Sequence, residues 1–275
     1  MTTVAADPPV RHAVVRPYRA LARVAARSVL AYPLSFVFGM AGVLLQLLAM
    51  LSIWAVLLGS TDSIGGFSWP QMKAYLLIAY VTGALMSFGD WEMGARIRDG
   101  MVAVDLTRPV DYQRARFAET VGVAVVEVAF SLTVCAVVLA ITGPVPVPPP
   151  GQAALFAVSA LLVLPLRFTT VYLTGLLCFW TQNIFGVSLA RGAITNLFSG
   201  ALVPLTLLPG WLQAIAAVLP FAGMTFTPAT IYLGQATGVD ALRLIGIQAV
   251  WTVALWWGAR LAWRAAVRQL TVHGG

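Results

Sequence analysis

Long runs of apolar residues recur along most of the chain, and they constrain its fold more than any other feature. A helix needs about 20 mostly apolar residues to cross the roughly 30 Å hydrocarbon core of a bilayer. No stretch remains that could form a separate soluble core, so we predict an all-α membrane protein with one domain over residues 1–275. Six segments meet the length requirement, at about residues 34–59, 74–93, 117–141, 153–180, 184–206 and 242–263.

Basic residues are distributed unevenly between the two sides that these spans define. Thirteen of the seventeen Lys and Arg residues fall before the first span, between the second and third, or at the end of the sixth. Because basic residues that flank spans tend to stay cytoplasmic, we expect both termini in the cytoplasm. The same rule accounts for most of the net charge of +7, so the charge does not indicate nucleic-acid binding. Sixteen Arg against one Lys suggests a GC-rich bacterial genome, and hence a bacterial cytoplasmic (inner) membrane.

A basic amphipathic helix is predicted at residues 17–30, ahead of the first span. Arg19, Arg23 and Arg27 follow one another at intervals of four residues and would share one face of a helix, with Pro17 in its first turn. Such a helix would lie in the lipid headgroup region of the membrane. The alternative is a solvated helical tail.

Prolines interrupt the chain on the opposite side. Residues 142–151, TGPVPVPPPG, predict an extended connection, because proline fixes φ and lacks an N–H. Four prolines also divide the apolar stretch from 204 to 240. Within it, residues 211–219 predict a helix that is too short to cross a bilayer. We expect short helices on the outer face between the fifth and sixth spans.

The chain has no motif for nucleotide hydrolysis or metal binding. A P-loop requires a lysine after a glycine, whereas the single lysine, Lys73, follows Met72. Zinc-protease and nucleophile-elbow motifs are also absent from the sequence. We therefore expect no enzymatic activity, no cofactor and no metal in this chain.

Two charged residues fall inside predicted spans. Glu127 in the third span and Arg167 in the fourth lie at similar depths, about 15 and 20 Å from the cytoplasmic ends, at roughly 1.5 Å per residue. An unpaired charge at such a depth is costly, so each needs a partner or a water-filled cavity. The pair is interpreted either as a structural salt bridge between helices or as part of a substrate or proton pathway.

Three segments in order resemble the permease subunits of ABC-2 type exporters, in the bacterial branch with six spans per separate chain. PYRALARVAARSVL precedes the first span, IRDGMVAVDLTRPV follows the second, and LPGWLQAIAAVLPF precedes the last. The resemblance covers approximately residues 16–268. It implies a half-transporter in which two permeases, identical or paralogous, work with two P-loop ATPase subunits that bind ATP and Mg²⁺. It also implies that a cytoplasmic coupling helix transmits nucleotide-driven closure to the spans.

The loop at 94–109 suits that role on its own residues. Ile97, Met101 and Val104 would form one apolar stripe on a short helix, which can lie in a groove of another protein. Gly100 permits either a close backbone approach or a bend, and Pro109 ends the helix. The alternative is a solvated connector. The predicted ATPase-coupling residues are Ile97, Arg98, Gly100, Met101, Val104, Leu106 and Pro109.

The function predicted from these features is that of a transmembrane permease subunit of an ATP-binding cassette exporter, driven by a separate ATPase. Two other classes stay open: a secondary transporter or channel that uses Glu127 and Arg167, and a membrane scaffold for a cytoplasmic partner. The sequence does not identify a substrate.

Overall fold

The computed structural model describes residues 11–85, 89–181 and 184–269, and the chain is helical over most of these ranges. One isolated bridge between Ile64 and Phe67 is the β-structure in the described residues. The all-α prediction is therefore confirmed for this part of the chain. The helices are α1 (Arg11–Ala31), α2 (Pro33–Gly59), α3 (Trp69–Ala84), α4 (Gly89–Arg98), α5 (Met101–Leu106), α6 (Tyr112–Thr142), α7 (Pro150–Leu176), α8 (Phe185–Phe198), α9 (Gly210–Val218), α10 (Phe226–Tyr232) and α11 (Gly238–Ala266).

Four helices in the described residues are long and apolar enough to cross a membrane. They are α2, α6, α7 with the short 3-10 turn that follows it, and α11. These helices match the predicted spans at 34–59, 117–141, 153–180 and 242–263 to within a few residues. Their uniform apolar surfaces explain why the prediction succeeded: α2 buries only a stripe that includes Leu47, Leu51 and Trp54, yet its outward residues are apolar as well.

The other two predicted spans contain shorter helices. The continuous helix predicted at 74–93 is wrong, because α3 ends at Ala84 and Leu85 adopts an extended conformation before α4 begins at Gly89. Part of this predicted span, residues 86–88, lies outside the described residues. The helix predicted at 184–206 ends early, at Phe198, where Gly200 has a φ of 78°. Glycine at such a position commonly ends a helix. The count of six spans therefore stays a prediction.

The amphipathic N-terminal helix is longer than predicted. It begins by Arg11, so Pro17 lies inside the helix and not in its first turn. Arg19, Arg23 and Arg27 are all exposed, as the amphipathic pattern predicted. The opposite face of α1 packs along α6, so the alternative of a separate solvated tail is wrong.

A glycine permits the close packing of α1 on α6. At Gly122 of α6, an added methyl group would collide with the backbone carbonyl of Ala22 in α1. Only glycine allows this approach of the two backbones. The contact brings α1 alongside the charged segment that precedes α6.

The two ends of the bundle differ in composition. We call the end formed by α1, α4, α5, the start of α6 and the end of α11 the basic end, because it carries most of the arginines. At the other, proline-rich end, residues 143–149 are not helical, as predicted. There Lys73 Nζ donates hydrogen bonds to the carbonyls of Thr142 and Gly143, at 2.9 and 2.7 Å. The predicted short helix at 211–219 is confirmed as α9.

Candidate functional site at the basic end of the bundle

The predicted coupling segment folds as a helical corner. The α4 helix ends at Arg98, Gly100 adopts a left-handed conformation with a φ of 70°, and α5 follows directly. The predicted bend at Gly100 is confirmed. The predicted single helix that would carry Ile97, Met101 and Val104 is wrong, because α4 ends at Arg98 and the left-handed Gly100 separates Ile97 from the other two residues, which belong to α5.

The corner separates buried from exposed apolar side chains. Ile97 is half-buried and packs against an aromatic cluster that includes Tyr112, Phe168 and Tyr172. On α5, Val102 points inward and is almost fully buried. Three apolar side chains of α5 point outward with 45–51% of their surface exposed; we call them the α5 apolar face, which comprises Met101, Val104 and Leu106. Arg98 and Pro109, at either side of α5, are also exposed.

A buried cluster of ion pairs attaches α5 to its neighbours. Asp105 of α5 is buried, and its carboxylate lies 3.4 Å from Arg96 of α4 and 3.5 Å from Arg116 of α6. Arg116 also contacts Glu119 at 2.8 Å. The three acidic side chains of the cluster balance its three arginines in charge. The buried arginine, Arg116, therefore has the carboxylate partners that a buried charge needs. The Asp105 cluster comprises Glu92, Arg96, Asp105, Arg108, Arg116 and Glu119.

A second carboxylate connects three helices just before α6. The Asp111 side chain caps α6 by accepting a hydrogen bond from the Arg114 N–H, and it also binds Arg260 of α11 at 2.9 Å. The backbone N–H of Asp111 donates to the hydroxyl of Tyr18 in α1. Beside it, Tyr112 stacks on Trp263 of α11 with ring centroids 4.1 Å apart. The segment from 99 to 119 is therefore anchored to the bundle at Asp105 and Asp111, although much of it is exposed, and its role in coupling stays a prediction.

A cleft of about 680 Å³ opens among α1, α4, α6 and α7. Its polar side is formed by members of the Asp105 cluster, and its apolar side includes Leu21, Val123 and Val171. Glu127 lies in its wall, eight residues along α6 from Glu119. At roughly 1.5 Å per residue, the cleft therefore reaches about 12 Å along α6 from the cluster. The cleft has the size of a small-molecule site.

The two charges predicted inside spans are both buried. Arg167 of α7 donates hydrogen bonds from Nη1 to the carbonyls of Gly83 and Leu85, at 3.3 and 3.0 Å. These carbonyls belong to the C-terminal end of α3, where a positive charge is favourable. Glu127 and Arg167 interact electrostatically, as their predicted proximity requires. Their pairing as a salt bridge stays a prediction.

Sequence reasoning missed two features of this region. It assigned no partner to Asp105, although the repeated spacings Glu92–Arg96, Asp105–Arg108 and Arg116–Glu119 indicate ion pairs. It also paired Arg167 only with Glu127. No signal in the sequence indicates that Arg167 binds the carbonyls at the end of α3, because the break in that helix is itself not visible in the sequence.

Comparison with known proteins assigns a family. The model of the family described as ABC-2 family transporter protein matches residues 43–274. The match includes the α4–α5 corner, the Asp105 cluster and both intramembrane charges. No curated protein matches the chain significantly. Since the match covers most of the chain, and since several long apolar helices make this a multi-pass membrane protein, the chain belongs to the ABC-2 family of transporter proteins.

Proposed function

We propose that this chain is the transmembrane permease subunit of an ATP-binding cassette exporter, and that the α5 apolar face docks on a separate P-loop ATPase subunit. In this proposal α3 with α4, and α8, complete six spans. The basic end faces the cytoplasm of a bacterial cell, and both termini lie on that side, although the outermost residues fall outside the described ranges. The chain performs no catalysis, and ATP and Mg²⁺ bind to the partner.

The observation that carries this proposal is the combination of exposure and anchorage at α5. Three apolar side chains point away from the bundle, whereas Val102 and Asp105 of the same short helix are buried. An apolar face of this kind on a rigid support fits a groove in a partner protein. The ion pairs of the Asp105 cluster would transmit a displacement of α5 to α4 and α6, because they connect the three helices directly.

The full assembly in this proposal contains two permeases and two ATPase subunits. The second permease is either an identical chain or a paralogue. The exposed arginines of α1 suit contact with lipid headgroups of the inner leaflet, where anionic lipids attract basic side chains. Neither the charge distribution nor the site suggests a nucleic-acid partner.

A substitution at Val104 tests the docking surface. We expect the full-length chain, purified from its native membrane in mild detergent, to retain a P-loop ATPase identified by mass spectrometry. Val104→Asp introduces a charge into the centre of the α5 apolar face. Burying that charge costs more than the apolar contact it replaces, so we expect the amount of ATPase retained to fall at least about tenfold.

Val147→Asp is the matched control, because Val147 is also an exposed valine but lies at the proline-rich end. It should retain as much ATPase as wild type. If Val104→Asp folds and retains the ATPase as wild type does, the docking surface lies elsewhere. If no ATPase accompanies the wild-type chain, and transport persists without ATP, a secondary transporter or channel becomes the better account. A scaffold would show no transport at all.

A further inference from the structure

A second cavity lies inside the bundle, away from the basic end. It has a volume of about 190 Å³ and is bounded by α2, α3, α7 and α8. Gln46, Arg167 and Arg191 in its wall lie in the middle parts of α2, α7 and α8, whereas Gly83 lies at the end of α3. The cavity therefore lies at mid-height in the bundle, where polar groups are costly and commonly mark substrate pathways.

The wall of this cavity is rich in positive charge and in hydrogen-bond donors. It contains two guanidinium groups, those of Arg167 and Arg191, and the side-chain amides of Gln46 and Asn196. The Arg191 charge repels Arg167 and the Glu127 charge attracts it. Two guanidinium groups in one wall suit a negatively charged ligand, because opposite charges attract strongly where water is scarce.

Some donors in the wall have no acceptor within the described residues. Among them, the Nε of Arg167 and the hydroxyl of Thr195 are buried without a hydrogen-bond partner. Buried donors are nearly always satisfied in native proteins, by protein, water or ligand. A guanidinium group and a hydroxyl together suit an oxyanion, which accepts several hydrogen bonds at once.

We infer that this cavity binds the carboxylate or phosphate headgroup of an amphiphile that the permease transports. The volume holds a headgroup or about six waters, but it is smaller than the roughly 300–1,000 Å³ of a site for a whole drug-sized ligand. Leu48 of α2 and Ile194 of α8 are exposed apolar side chains that follow and precede the wall residues Leu47 and Thr195, and they offer a surface for an apolar tail. That the ligand is transported rests on the proposed function, whereas binding of the ligand does not require the ATPase.

Binding is tested with the full-length permease alone, in micelles of dodecyl maltoside. Dodecyl phosphate, dodecyltrimethylammonium and inorganic phosphate are titrated separately, and binding is followed as an increase in thermal stability. The first two have the same chain and opposite headgroup charge, whereas the third lacks the chain. We expect dodecyl phosphate to bind the wild type at least about tenfold more tightly than either of the others.

Arg191→Gln removes one guanidinium group and leaves the Arg167 contacts with α3 intact. We expect it to weaken dodecyl phosphate binding about tenfold or more, since one charge-assisted contact is lost. Thr195→Val, a smaller change in the same wall, should weaken it about threefold. Arg243→Gln is the matched control, because Arg243 is exposed on α11 and outside the cavity.

Equal binding of dodecyl phosphate to Arg191→Gln and wild type would overturn the assignment of the site. Equal binding of the cationic and anionic amphiphiles would overturn the assignment of charge. If inorganic phosphate binds as tightly as dodecyl phosphate, the ligand is a free anion and the assignment of an amphiphile is wrong. Failure of the Val104→Asp test would leave these outcomes unaffected, because they are measured without an ATPase.

Discussion

Replacing Asp105 by Asn tests whether the ion-pair cluster holds α5 against the bundle. The substitution preserves the shape of the side chain and removes its charge. The Asp105 side chain is 6% exposed and that of Arg116 is 8% exposed, whereas that of Arg108 is 53% exposed and contributes little. Breaking a buried ion pair costs about 3–5 kcal/mol. Arg116 keeps its contact with Glu119 at 2.8 Å, so we take the lower end of this range. We expect the substitution to reduce the free energy of detaching α5 by about 3 kcal/mol, which enlarges the detached population roughly a hundredfold.

Limited proteolysis with trypsin measures that population. Trypsin can cleave after Arg98, just before α5, and this bond becomes a good substrate only when the corner opens; Pro109 prevents cleavage after Arg108. When opening and closing are fast, the cleavage rate follows the open population. We therefore expect Asp105→Asn to be cleaved about a hundredfold faster than wild type. Asp62→Asn is the control, because Asp62 is exposed, lies away from the cleaved bond and has no ion pair within the described residues.

A cleavage rate for Asp105→Asn within threefold of wild type would refute the anchoring role of the cluster. A second comparison separates charge from packing. The double variant Asp105→Asn with Arg116→Gln removes the buried arginine that the single variant leaves short of a partner. It should therefore be cleaved more slowly than the product of the two single effects predicts, because the two residues interact directly.

Two further substitutions test the packing of the helices. Gly122→Ala should destabilise the chain by about 1–3 kcal/mol, because the added methyl group collides with Ala22; unfolding in a detergent titration measures this, and Gly42→Ala, which has open space around it, is the control. Arg167→Gln should lower the free energy of unfolding by about 3 kcal/mol, because two buried carbonyls at the end of α3 lose a charged donor. Arg243→Gln should have no effect in the same titration, and an equal loss in both variants would contradict the capping role.

The accuracy of the sequence predictions varied with the range of the interactions involved. The four long spans were located within a few residues, because an apolar run is a local property. The non-helical connection at 143–149 and the short helix α9 were also predicted, since proline acts on its own neighbours. The break after α3 was missed, because the carbonyls it exposes are bound by Arg167, 82 residues after Leu85.

In the candidate coupling region, too, the local feature was predicted correctly and the feature that depends on distant residues was not. Gly100 was correctly expected to allow a bend, but helical periodicity alone placed Ile97 on the outward stripe. In the structure the left-handed glycine turns Ile97 inward and leaves the face of α5 to Met101, Val104 and Leu106. Whether a side chain is exposed depends on what the neighbouring helices cover, and periodicity within one segment does not contain that information.

The sequence by itself determined that this chain is a helical membrane protein, where its long spans lie and which segments cannot be helical. These properties follow from hydropathy and backbone chemistry within a few residues. Only the tertiary structure decided that Asp105 is buried among arginines, that α1 packs on Gly122, and that Arg167 and Arg191 line one cavity. Each of these depends on helices that are distant in sequence meeting side by side, and the apolar surfaces that bring them together look alike in the sequence.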